Sequence, residues 1–180
     1  MGKNVFLYRH LDIPYDQNEI AAFLKKRPDI PNLFRIIDDH NKVLAEELPF
    51  IKRWIDENNL RLKTFAYISI GPMIRQYIHK DPGLPELALN IPVFNCENIY
   101  TVFYEVGDRE ETLNYTSVTK LPFYSYEGFS PTDPNRILGQ YSLIKPTILN
   151  VKQAHSVVNT TNQSRICLSF RFEEDPWHLV

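Results

Sequence analysis

Near residue 60 the chain changes character once and does not change back, and this switch limits the folds open to it. Two helical signals precede it. In "DQNEIAAFLKK" (16–26) Ile20, Phe23 and Leu24 fall at helical spacing, Asp16 stands where an N-cap belongs, and Pro28 stops the run. "DDHNKVLAEELPFIKRWIDENN" (38–59) also reads as helix. Pro49 lacks the N–H that a helix interior needs, so it marks a kink or a fresh start. After residue 60 come short β-rich runs bounded by Gly, Pro and Asn: "LKTFAYISIG" (62–71), "ELALNIPVF" (86–94), "NIYTVFYEVG" (98–107), "QYSLIKPTILNV" (140–151) and "SRICLSFRF" (164–172). Helices first and strands afterwards, with no βαβ rhythm, predict antiparallel sheets covered by helices.

The strand count and spacing fit a mainly β protein with N-terminal helices: a double-stranded β-helix, or jelly roll, of the cupin sort. A generic β-sandwich satisfies the same pattern. At 180 residues and 21.2 kDa the chain is most simply one domain. Residues 1–60 read as a helical support region and 61–180 as a jelly-roll core with a long insertion at 108–139. That insertion is polar and aromatic, with Tyr115, Phe123, Tyr124, Tyr126 and Phe129 among Pro, Gly and Ser. A structureless loop so long is unusual unless functional, and it reads either as a substrate lid or as packing over a sheet edge.

A formal net charge of −2 with no basic run gives no footing for nucleic-acid binding. No stretch approaches the length of a membrane span, and Arg9, His10 and Asp12 interrupt any signal-peptide core, so the expected location is cytoplasmic. Two cysteines, Cys96 and Cys167, are too few for a disulfide framework and lack metal-type spacing.

The chemistry-bearing stretch is "QYIHKDPG" (76–83), which sets His79 and Asp81 two positions apart just after a strand-like run. His-x-acidic alone is weak: about 0.6 matches are expected by chance in this composition. A second one, His10-Leu11-Asp12, precedes the helices, outside the strands that would build a barrel. The first gains weight from what lies downstream. His155 follows another strand-like run, and Arg165 comes ten residues later. Arg165 opens an alternating strand in which Arg165, Cys167, Ser169 and Arg171 face one way and Ile166, Leu168, Phe170 and Phe172 the other. In an ordinary sandwich the polar face is the wet one; in a jelly roll that holds a charged ligand it can look inward. Two imidazoles and a carboxylate on one face of an ion leave three positions open, which suits non-haem Fe(II) that must also hold a cosubstrate and oxygen. A cosubstrate with a distant carboxylate needs a fixed cation, and a guanidinium fork serves better than an ammonium.

His79-x-Asp81, then His155, then Arg165 resembles the Fe(II)- and 2-oxoglutarate-dependent oxygenases over roughly residues 62–172. The resemblance implies that His79, Asp81 and His155 bind Fe(II) and that Arg165 binds the far carboxylate of 2-oxoglutarate. It implies a dioxygenase that hydroxylates a C–H of an amino acid, a peptide or another small molecule while 2-oxoglutarate becomes succinate. "HSVVNTTNQSRICLSFRF" (155–172) is similar to the aspartyl/asparaginyl hydroxylase branch, with two departures. That branch commonly lacks the carboxylate ligand that Asp81 would supply, and many members carry a serine where this chain has Cys167.

Asn90, in an otherwise apolar strand, and Tyr67, on the strand before the His-x-Asp turn, are further candidates for cosubstrate contact. Asn90 reads equally as a pin for the next turn, Tyr67 as a packed core residue, and Arg171 as a second choice for carboxylate binding. Asn159 is placed to fix the loop after His155. Two other classes stay open: a cupin-like metalloprotein that does not use 2-oxoglutarate, and a non-enzymatic jelly-roll module whose aromatic loop binds a partner.

Overall fold

The computed structural model describes residues 5–27, 33–81, 85–107, 111–115, 122–126 and 133–180. The early helices form where their caps predict. Helix α1 spans Gln17–Lys25, and the Asp16 carboxylate accepts from the Asn18 N–H at 2.7 Å. Pro49 makes a fresh start rather than a kink: α2 spans His40–Glu47 and α3 Pro49–Glu57, with the proline in the first turn, where no N–H is missed. Pro28 lies outside the described residues.

Twelve strands are seen among the described residues: β1 Tyr8–His10, β2 Phe34–Ile36, β3 Leu62–Ile70, β4 His79–Lys80, β5 Leu87–Phe94, β6 Ile99–Tyr104, β7 Glu111–Tyr115, β8 Pro122–Tyr126, β9 Ile137–Ser142, β10 Thr147–Asn150, β11 His155–Asn159 and β12 Arg165–Phe172. They make two six-stranded sheets, ordered β1-β10-β5-β12-β3-β2 and β7-β8-β4-β11-β6-β9, with antiparallel pairing throughout. The helical third also supplies strands, since β1 and β2 form the two edges of the first sheet. The described part of the polar-aromatic segment is no free loop: β7 and β8 pair from Glu111↔Tyr126 to Tyr115↔Pro122 and extend the second sheet.

The register decides which side chains share a face, because directly opposed residues of an antiparallel pair point the same way. Leu168 opposes Tyr67 and Phe170 opposes Phe65. These residues join Ile20, Phe23, Leu44, Leu48, Ile51 and Ile55 of the helices in one buried cluster. The helices therefore cover the outer face of the first sheet, and the Phe65 and Phe170 rings stack there at 4.7 Å. The inner face meets the second sheet: Ala88, Leu149 and Cys167 from one side pack with Phe103 and Tyr141 from the other. At one end β1 contributes Tyr8, whose ring stacks on Tyr141 at 4.5 Å. Among the described residues, no helix is long and apolar enough to cross a membrane.

Candidate metal centre

The three sequence-predicted ligands come from two segments, β4 with the residue after it and β11, that meet at one point of the second sheet. His79 and His155 are directly opposed across the β4–β11 pair, with ring centroids 4.4 Å apart. Asp81 follows β4, and its N–H donates to the Val151 carbonyl at 3.0 Å, which fixes the backbone that carries the carboxylate. One ligand atom each from His79, Asp81 and His155 lies within 4.8 Å of the others.

The hydrogen bonds of the two imidazoles settle which nitrogen is available. His79 Nδ1 meets the Tyr77 carbonyl at 2.8 Å, and His155 Nδ1 meets the Gln153 carbonyl at 2.9 Å. A carbonyl only accepts, so both Nδ1 atoms carry a proton, and in the neutral imidazole Nε2 is then the nitrogen left to bind an ion. Each ring is thus held by the carbonyl two residues before it. His155 is 6% exposed, and burial first, then the neighbouring His79, lowers its pKa to about 4, so it stays neutral at neutral pH. The turn that delivers it is itself built: Asn150 Oδ1 accepts from the N–H groups of Lys152 and Gln153 at 2.9 and 3.2 Å.

Asp81 is ionised. Burial pushes its carboxyl up, but Arg171, followed by His155, His79 and Lys152, more than offsets this and holds it below the usual carboxylate range. Arg171 Nη2 donates to Oδ2 of Asp81. The other oxygen, Oδ1, lies 3.8 Å from His79 Nε2. Two imidazoles and an ionised carboxylate form a donor set that fits a divalent cation of intermediate softness. Aromatic rings flank it: Phe123 stands edge-on to His79 at 6.0 Å, and Phe103 lies 6.2 Å from His155.

Across the interior, the polar face of β12 looks inward. Arg165 opposes Ile70 and Cys167 opposes Ile68, both facing the second sheet. Arg165 is 2% exposed and its Nε is buried without an acceptor. The groups that act on it most are Cys167, Cys96 and Tyr141, and among the described residues no carboxylate forms an ion pair with it. A buried guanidinium without an anionic partner costs several kcal/mol, a cost that an anionic ligand would offset.

Asn90 opposes Ser169 on one side and Thr147 on the other, so it too faces inward, and its Oδ1 is buried without a donor. Tyr67 does not join them. It opposes Leu168 on the helix-covered face, where it is 1% exposed, so the expectation that it reaches a cosubstrate is corrected: the core alternative holds. The expectation that His10 lies outside the strands is corrected. This residue lies on β1, and its Nδ1 is 2.8 Å from the Thr147 hydroxyl, but it is not part of the His79–Asp81–His155 group.

One inward residue went unread in the sequence. Tyr141 opposes Thr101 on the inner face of β9, and its hydroxyl is buried without a hydrogen-bond partner although Thr101, Asn90 and Arg165 approach it. Burial pushes this phenol up to about 12, against the pull of Arg165, so it remains a neutral donor. Period-2 parity within "QYSLIKP" gives its face only once the inner face of β9 is known.

No protein-family model matches the sequence, and a comparison of the sequence with curated proteins finds no match. Among solved structures, the epimerase SnoN in complex with Fe3+, alpha ketoglutarate and nogalamycin RO aligns with a TM-score of 0.52 at 12% identity, over 92% of this chain and 78% of that one. The fold is a cupin-like jelly roll. The non-heme alpha ketoglutarate dependent carbocyclase SnoK aligns over 93% of this chain and 79% of that one, at 12% identity and a TM-score of 0.49. In the jelly roll of this chain the three ligand candidates sit on one sheet, and Arg165 reaches inward from the sheet that faces it.

Proposed function

We propose that the chain is an Fe(II)- and 2-oxoglutarate-dependent dioxygenase that hydroxylates a C–H bond of an amino acid, a peptide or another small molecule. The carrying observation is a pairing of opposites in one interior. Two imidazoles and an ionised carboxylate meet on one sheet, and a buried guanidinium that has no carboxylate partner among the described residues faces them from the other. His79 and His155 would hold iron through Nε2 and Asp81 through Oδ1. Arg165 would bind the far carboxylate of 2-oxoglutarate, with the Tyr141 hydroxyl as a neutral donor and Asn90 lining the same space. Iron with 2-oxoglutarate and oxygen supplies the oxidation: one oxygen atom goes to the C–H, the other to succinate, and carbon dioxide leaves. Phe103 and Phe123 flank the histidines and give their side of the site an apolar wall.

SnoN, similar in fold, was solved with Fe3+ and alpha ketoglutarate, so this frame accommodates such a pair. SnoN is an epimerase, so the reaction's outcome is set by how the substrate is held as well as by the centre. The likeness of "HSVVNTTNQSRICLSFRF" to the aspartyl/asparaginyl hydroxylase branch favours an amino-acid or peptide side chain as substrate.

The test is anaerobic titration of the Fe(II)-loaded protein with 2-oxoglutarate, following the visible charge-transfer band of the chelate in wild type and Arg165→Ala. A saturating band is expected in wild type. The variant should need about 10- to 100-fold more 2-oxoglutarate, the worth of a charge-assisted bond of about 1.5–3 kcal/mol. Bound iron without a band would replace this reading with that of a metalloprotein that does not use 2-oxoglutarate. No bound iron would reduce His79 and Asp81 to a surface pair.

A further inference from the structure

Strands β7 and β8 carry the second sheet beyond β4, and the register says which of their side chains share the face of the candidate ligands. Ser125 is directly opposed to His79 across the β4–β8 pair and to Thr112 across β7–β8, while Asn114 is opposed to Phe123. Thr112, Asn114, Phe123 and Ser125 therefore face inward with His79, and none of them is charged. Lys80, between two candidate ligands, takes the other face and pairs there with Glu111 at 2.8 Å.

Hydrogen bonds fix how two of these side chains are presented. Asn114 Nδ2 donates to the Thr112 carbonyl at 3.1 Å and to Ser125 Oγ at 2.7 Å. A carbonyl only accepts, so the nitrogen end of the amide is settled and both of its hydrogens are used. Ser125 Oγ is then an acceptor in this bond. Its own hydrogen meets no acceptor among the described residues, although the residue is only 6% exposed. Asn114 Oδ1 likewise receives no donor among the described residues. Buried polar groups are normally paired, and this unspent hydroxyl stands one strand, about 4.8 Å, from the strand of His79.

We propose that Ser125 and Asn114 are a specificity-determining pair that recognises a primary carboxamide of the substrate; this rests on the reading of His79, Asp81 and His155 as a metal centre. The Ser125 hydroxyl offers a donor and Asn114 Oδ1 an acceptor, and the bond between the two side chains holds them side by side. A primary carboxamide carries the complement, a carbonyl oxygen and an N–H on one edge. A carboxylate has no hydrogen for Oδ1 and meets no cation among the inner side chains of β7 and β8. A ketone or ester satisfies Ser125 but leaves Oδ1 unpaired, and a site built to bond an N–H rejects the analogue that lacks it. Phe123, opposite Asn114 and edge-on to His79 at 6.0 Å, supplies an apolar surface for the carbon chain that joins the carboxamide to the reacting C–H.

Proton relaxation of two small probes tests this on the Mn(II)-loaded protein, because the paramagnetic ion speeds the relaxation of any molecule held near it. Propionamide and butanone share a shape and a carbonyl and differ by NH2 against CH3. In wild type, propionamide should bind about 3- to 10-fold more tightly than butanone, the worth of one neutral hydrogen bond. Asn114→Leu should erase that preference. Ser125→Ala should weaken propionamide by a similar factor, and Ser125→Thr, which keeps the hydroxyl, should recover most of it. Equal binding of the two probes by wild type overturns the proposal without any variant, and so does a threonine variant as weak as alanine. Failure of the metal-centre reading looks different: wild type would bind no Mn(II), or His155→Ala would bind it as well as wild type, and the proposal would fall with that reading.

Discussion

Asn159 is 1% exposed and closes the turn between β11 and β12 with its whole amide. Its Nδ2 donates to the carbonyls of Ile70, Gly71 and Gln163, and its Oδ1 accepts from the N–H and hydroxyl of Thr161. Asn159→Ala removes the donor that the Ile70, Gly71 and Gln163 carbonyls share and the acceptor that Thr161 uses, and each such bond contributes about 0.5–1.5 kcal/mol. A loss of about 2–4 kcal/mol is expected, read as a lower urea midpoint. A loss under about 1 kcal/mol would leave the turn to its backbone bonds, such as Met73 N–H to the Thr161 carbonyl. Asn159 was legible as the fixing residue of this loop because a buried amide after a strand needs partners. Tyr67 was not legible, because "LKTFAYISIG" is apolar on both faces of a doubly covered sheet. Alternation there says that 67 and 68 point opposite ways without saying which way is in.

The elements divide by length. Helices α1 to α3 and strands β3, β5, β6 and β12 are long enough to show their period and are bounded by caps or turn residues, so the sequence displays them. Strands β1, β2 and β4 have two or three residues each and offer no period to read. Their existence is set by the sheet edges and neighbours they pair with. The exposed and polar residues of β7 hid it in the same way. Between helices, Glu47 of α2 accepts from Arg27, just past α1, at 2.8 Å, and the Arg27 guanidinium lies over the Phe23 ring at 3.6 Å. The hydrogen bond from Arg27 is the main cause holding the Glu47 carboxyl below its ordinary value near 4.5. A depressed folded pKa means that the stability is present above about pH 4.5 and is lost as pH falls through the folded value. Wild type should lose about 1 kcal/mol relative to Glu47→Gln as pH drops through that window. Thermal unfolding of both proteins across pH 3–7 checks this, and parallel curves would mean that the helix pair does not depend on the ion pair.

For the whole molecule, the sheets and the helical cover follow from the order of helical and strand signals, and the candidate site was proposed from four residues, three of which the structure brings within reach of one ion. Which face of each sheet is interior came only from the register. A ligand that binds the folded state alone raises its stability by mass action. Mn(II) at 100 times its dissociation constant should add about 2.7 kcal/mol, or about 5–10 °C in Tm for a chain of this size. Arg165→Ala should keep that shift, since Arg165 is not among the proposed ligands, and His155→Ala should lose it. Equal shifts in wild type and His155→Ala would place the ion elsewhere.

The direct opposition of His79 and His155 also bears on how the chain leaves and reaches its native state. The two residues are 76 positions apart (79 to 155), and β4 brings only two residues to the pairing. A partner strand so short offers little to hold before the longer strands have docked, so the ligand trio comes together late in folding. Interactions absent from the transition state slow unfolding and leave the folding rate nearly unchanged. A bound ion would act as a clasp that sets the lifetime of the native state, with little influence on how fast the chain finds it.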